Sequence, residues 1–109
     1  MKIDYAVVSE QGLREEMEDR YCLIPQFGRK PNQLFAGVFD GHGGTYAAHI
    51  ASTEIPRQFL LRLGNGFSVK SAFFASFVSA SDSVNRAEST SGACATALFF
   101  RRSSAFFAN

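Results

Sequence analysis

The chain has 109 residues, 46% of them hydrophobic and 19% charged, which fits at most one globular domain and excludes a disordered polypeptide. A formal net charge of +1 is too small to argue for attraction to nucleic acid or to an anionic membrane surface. No apolar run approaches the ~20 residues of a bilayer span. The opening "MKIDYAVVSEQG" reads as a short alternating strand and not as a secretion signal. The expectation is an intracellular protein, cytoplasmic or nuclear, with no nucleic-acid and no membrane partner.

In chain order, "YAVVSEQG" and "EDRYCLIP" are short strand candidates on either side of a turn at Gly12, with Pro25 closing the second. A polar turn cluster, "GRKPNQ", leads into the apolar strand "LFAGVFD", and the three strands can form an antiparallel meander. The stretch "TYAAHIASTEIPRQFLLRLGNG" reads as helix, with Thr45 as N-cap and Gly64-Asn65-Gly66 as the stop. Pro56 is expected to kink or interrupt it and to start a second helical segment. Ser68 then caps "VKSAFFASFVSASDSVNRA", where Val69, Phe73, Phe77, Ala80 and Val84 fall at spacings of three and four and form one core-facing stripe. "ESTSG" reads as a loop, "ACATALFF" as a strand, "RRSS" as a turn and "AFFAN" as its hairpin partner. The fold class is α+β, an antiparallel sheet packed against two main helices. Twelve phenylalanines and no tryptophan point to a phenylalanine core. Cys22 and Cys94 both sit in apolar segments and read as buried free thiols in preference to a disulfide.

The chemistry concentrates where the strand "LFAGVFD" meets "GHGG". Asp40 ends an apolar run as a rigidly held carboxylate, and Gly41, lacking a Cβ, lets its carbonyl approach the same ion. Gly43 and Gly44 allow a sharp turn into the helix. An aspartate that merely caps that helix is the plainer account of an isolated Asp-Gly; the tight cluster favours a ligand role. The dinucleotide fingerprint fails because Tyr46 stands where its third glycine belongs, and no Gly-Lys-Ser/Thr exists for a phosphate loop. His42 and His49 lack zinc-site spacing and the cysteines form no CxxC pair; His49 reads as an ordinary helix residue. The remaining oxygen donors suit Mg²⁺ or Mn²⁺. A second acidic cluster, "LREEMEDRY", carries Glu15, Glu16, Glu18 and Asp19. It is either a self-compensating solvated run or a set of carboxylates that an adjacent strand aims at the ion held by Asp40.

Arg-x-x-Met-Glu-Asp at Arg14 to Asp19, Phe-Asp-Gly-His-Gly-Gly at Phe39 to Gly44 and "SGACATALFF" at Ser91 to Phe100 together resemble the metal-dependent serine/threonine protein phosphatases of the type 2C family. The three motifs come in that family's order and cover nearly the whole chain. The resemblance implies two Mg²⁺ or Mn²⁺ ions, with Asp40 bridging them, the Gly41 carbonyl on one, and Glu18 and Asp19 holding metal-bound waters. It makes Arg14 the ligand of the substrate phosphate, whose oxygens suit a planar charged fork. It makes His42 the general acid and a metal-bridging water the nucleophile. The substrate implied is a phosphoserine or phosphothreonine protein, and Ser91 belongs to a structural turn.

That family's catalytic domain is considerably longer, with further metal-binding aspartates downstream. The expectation is therefore the N-terminal portion of a type 2C catalytic domain, residues 1–109, stopping at a strand end inside a four-layered β-sandwich. On this reading the chain is marginally folded with little or no turnover by itself. The alternative is a non-catalytic remnant that binds metal, or a partner through an exposed apolar face.

Overall fold

The structure is a computed structural model that describes residues 19–87 and 91–109. Arg14, Glu18, the strand expected over residues 5–12 and most of the "ESTSG" loop lie outside the described residues. Four strands, β1 (Arg20–Pro25), β2 (Gln33–His42), β3 (Gly92–Arg101) and β4 (Ser104–Ala108), pair antiparallel in the order β1-β2-β3-β4. Two helices, α1 (Tyr46–Gly64) and α2 (Val69–Arg86), connect β2 to β3. The architecture is α+β, as expected, and the sheet is antiparallel throughout the described residues.

Side-chain alternation along β2 sets the two faces of the sheet. Phe35, Gly37, Phe39 and Gly41 are buried, whereas Val38, Asp40 and His42 are exposed. On the buried side Phe35, Phe39, Phe59 and Phe99 have no accessible surface. Phe59 of α1 is the hub. Its ring centroid lies 4.4 Å from Phe73 of α2, 4.9 Å from Phe99, 5.3 Å from Phe35 and 6.1 Å from Phe27, in tilted and edge-on arrangements. Such offset geometries add to the roughly 1.5–3 kcal/mol that burial of each ring contributes. At the hairpin end the Arg101 guanidinium lies 5.6 Å from the Phe99 centroid and 5.9 Å from that of Phe106.

The helix ends follow local chemistry. Ser68 Oγ accepts the Ser71 N–H and caps α2 as expected. At the end of α1, Gly66 N–H donates to the Leu63 carbonyl at 3.1 Å and Phe67 N–H to the Arg62 carbonyl at 3.0 Å. This double closure requires a left-handed residue, and Gly66 supplies it with φ 88. Ala72, Phe73, Ser76 and Ala80 form the most buried line of α2, with Val69 and Phe77 packed beside it. The buried Ser76 hydroxyl donates to the Phe73 carbonyl.

Three local expectations are corrected. Pro56 does not interrupt α1, which runs unbroken from Tyr46 to Gly64. Proline offers no N–H to the Ser52 carbonyl, but Ile55, Pro56 and Phe59 are all buried, and their packing outweighs one lost hydrogen bond. Glu54 Oε1 also accepts from Arg57 Nη2 and from Gln58 Nε2 across the proline. That pairing holds the Glu54 carboxyl below its usual range. Cys94 is exposed and not in the core, while Cys22 is half-buried, and both are free. The run Gly-Ala-Cys-Ala-Thr is small and apolar on both sides, so its composition conceals which face is covered. Finally, β2 continues past Asp40 to include Gly41 and His42.

Replacing the hub tests this core. Phe59→Ala is expected to destabilise the fold by about 3–5 kcal/mol, a large fraction of the stability of a small domain. Urea denaturation followed by circular dichroism measures it, and Phe59→Leu is expected to cost clearly less.

Candidate functional site

The exposed ends of β2 and β3 bring the chemistry-bearing residues together. Register places Asp40 opposite Cys94 and His42 opposite Gly92. Asp40, His42 and Cys94 are exposed on the sheet face turned away from the helices. After His42 the backbone enters left-handed conformations at Gly43 (φ 68) and Gly44 (φ 123), which side-chain-bearing residues rarely adopt. This two-glycine turn swings the chain into α1.

Asp19 joins this group from the neighbouring strand. It precedes Arg20, the register partner of Phe39, and its Oδ1 accepts the Gly41 N–H at 3.2 Å. The Met-Glu-Asp and Asp-Gly-His segments therefore touch through Asp19 and Gly41. Glu18 and Arg14 lie outside the described residues. Among the described residues, no group of three or more His, Cys, Asp or Glu side chains converges as a metal-binding cluster. The oxygen donors at this end of the sheet are the carboxylate of Asp40, the Gly41 carbonyl and the carboxylate of Asp19, which meets the Gly41 N–H. They match the hard-donor preference of Mg²⁺ or Mn²⁺, and Mg²⁺ commonly keeps several waters beside one or two carboxylates. His49 lies on α1, apart from His42, and its carbonyl accepts from the Ser52 and Thr53 hydroxyls.

Sequence reasoning missed how the turn after His42 is held. Thr45 occupies the N-cap position of α1, but its backbone is helical (φ -94, ψ -11) and its hydroxyl makes no capping bond. The Ala47 N–H instead donates to Ser91 Oγ at 2.9 Å, from a residue 44 positions away. Ser91 is itself buried. Its role is thus more than a local turn: it caps a helix from the start of β3. A serine standing immediately before the small-residue strand was the available signal.

The two thiols differ in environment. Burial pushes the Cys22 thiol up to about 11, against a smaller opposing effect from its hydrogen bond with the Gly37 backbone. Cys94 stands open beside Asp40.

The family model described as protein phosphatase 2C matches residues 3–109, so the chain belongs to the protein phosphatase 2C family. It is 42% identical over 50 residues to the human protein phosphatase 2C-like domain-containing protein 1, covering 46% of this chain and 8% of that protein. It is 39% identical over 62 residues to the probable protein phosphatase 2C 2 of Arabidopsis thaliana, covering 57% and 16% respectively. It is 41% identical over 51 residues to protein phosphatase 1L of Bos taurus, covering 47% and 14%. The chain thus spans well under a fifth of the length of these relatives.

Two measurements probe the local architecture. Ser91→Ala is expected to cost about 1 kcal/mol, the typical value of an N-cap, and to speed amide exchange at Ala47, whereas Thr45→Ala is expected to leave both nearly unchanged. With a thiol-specific chromogenic reagent at pH 8, Cys94 is expected to react quickly and Cys22 only on unfolding, since its raised pKa keeps it protonated there. Cys94→Ser should remove the fast phase alone.

Proposed function

We propose that the protein hydrolyses phosphoserine and phosphothreonine in protein substrates, using Mg²⁺ or Mn²⁺ held at the exposed end of β2. The single observation that carries the reading is the hydrogen bond from Gly41 N–H to Asp19 Oδ1. It supports a common site for the two acidic motifs, which would otherwise be separate charge clusters. Family membership supports the reaction class.

In this reading Asp40 and the Gly41 carbonyl would hold the metal, with Asp19 and Glu18 as its outer carboxylates. When bound, the two ions polarise the phosphoryl oxygens and lower the pKa of coordinated water. Arg14 orients the phosphate through paired N–H donors. His42, on the same exposed face as Asp40, gives a proton to the serine or threonine oxygen as the P–O bond breaks, because an alkoxide leaves poorly near neutral pH. Water attacks phosphorus directly and no phosphoenzyme forms. One aspartate and one carbonyl as direct ligands would leave many positions to water, so turnover by this chain alone is expected to be low.

A second reading, a non-catalytic module that binds metal or a partner, is favoured by one observation. Tyr21, Val38 and Phe107 are 52%, 60% and 74% exposed, and their register positions share the sheet face of Asp40. The partner it implies is an apolar protein surface.

Phosphate release from a phosphopeptide is expected to require Mn²⁺ or Mg²⁺ and to stop with chelator. Even outer-shell partners of a metal contribute 10–100-fold, so Asp40→Asn is expected to reduce turnover by more than about 100-fold. Mn²⁺-induced broadening of the Asp19 and Gly41 amide resonances should disappear in the same variant. Metal-independent hydrolysis, or full activity in Asp40→Asn, would sink the catalytic reading, and Mn²⁺ binding without turnover would favour the module.

A further inference from the structure

We propose that Gly92 is a positioning residue for His42, its absent side chain leaving the space in which the imidazole lies; the catalytic consequence rests on the reading of His42 as proton donor. The two residues face each other across the β2–β3 ladder. A Cβ placed on Gly92 would stand 2.3 Å from His42 Nε2, 2.8 Å from Cε1 and 3.2 Å from Cδ2. The ring thus occupies the space where the Cβ of residue 92 would stand, with Nε2 nearest to that point.

Other reasons for a glycine here fail. The φ of Gly92 is outside the left-handed region, unlike those of Gly43 and Gly44, so the backbone admits an L side chain. Gly92 is half-exposed, and His42 supplies the three atoms closest to the position of its missing Cβ. A glycine in a strand often marks a place where another group approaches closely, and here a ring does. The backbone is fixed by pairing to β2, whereas the imidazole turns about two single bonds. A methyl group at position 92 therefore moves the ring by about 1 Å or more to reach ordinary contact distance. A misplacement of that size can cost on the order of 100-fold in rate.

The test uses the 109-residue chain labelled at histidine and glycine. In the parent protein, nuclear Overhauser contacts are expected between the His42 ring protons and the Gly92 α-protons. In Gly92→Ala, the amide spectrum away from the site should be retained while the His42 ring resonances move. A parent protein without those contacts, or His42 ring resonances unmoved in Gly92→Ala, overturns the proposal. Should Gly92→Ala not fold, the double variant Gly92→Ala/His42→Ala is expected to restore folding, because the colliding ring is gone; failure of that rescue also overturns it.

Kinetics separate this proposal from the reading beneath it. On a phosphoserine peptide, kcat of Gly92→Ala should fall about as far as that of His42→Ala, with KM little changed. On an aryl phosphate, whose leaving group needs no proton, both should stay near the parent. A displaced ring with unchanged kcat on both substrates would remove His42 as proton donor while leaving its dependence on Gly92 intact.

Discussion

The pairing of β2 with β3 is the constraint on which the molecule depends. Ten residue pairs, from Gln33 with Arg101 to His42 with Gly92, are matched in one antiparallel register. Strand side chains alternate with a period of two, so a slip of one residue would exchange the faces. Asp40 and His42 would enter the phenylalanine core, and Phe35 and Phe39 would meet solvent. Two uncompensated polar side chains against four fully buried rings make that alternative costly. The core therefore specifies the position of the site. Phe35, Phe39, Phe59 and Phe99 lock one face, and the opposite face is left to carry the carboxylate and the imidazole.

Local periodicity and cap chemistry made much of the fold legible in the sequence. The apolar spacing of α2, the Ser68 cap, the Gly64-Asn65-Gly66 stop and the Arg102-Ser103 hairpin turn all act within a few residues, where propensity decides. The misreadings concern interactions between distant segments. The course of α1 through Pro56 depends on burial against the sheet, which overrides a local rule. The exposure of Cys94 depends on strand parity, and a run of small residues gives no alternation to read. The first turn of α1 is completed by Ser91, which no local window contains.

The site shows the same division. Asp40, Gly41 and His42 were picked out because a carboxylate, a histidine and three glycines at a strand end are chemically unusual together. Their proximity to Asp19 could be expected only from strand adjacency, and a single side-chain to backbone hydrogen bond makes it concrete. The significance of Gly92 was invisible, because a glycine opening a small-residue strand looks like part of the run. Only the cross-strand register shows that an imidazole lies over it.

Ser91 and Gly92 are consecutive, and each serves a different element. The first fastens the opening turn of α1 through Ala47, and the second leaves room for the His42 ring. One peptide unit thus acts as a mechanical coupler between the helix and the outer surface of the sheet. A slide or tilt of α1 that pulls on Ala47 would therefore load the peptide unit beneath the histidine.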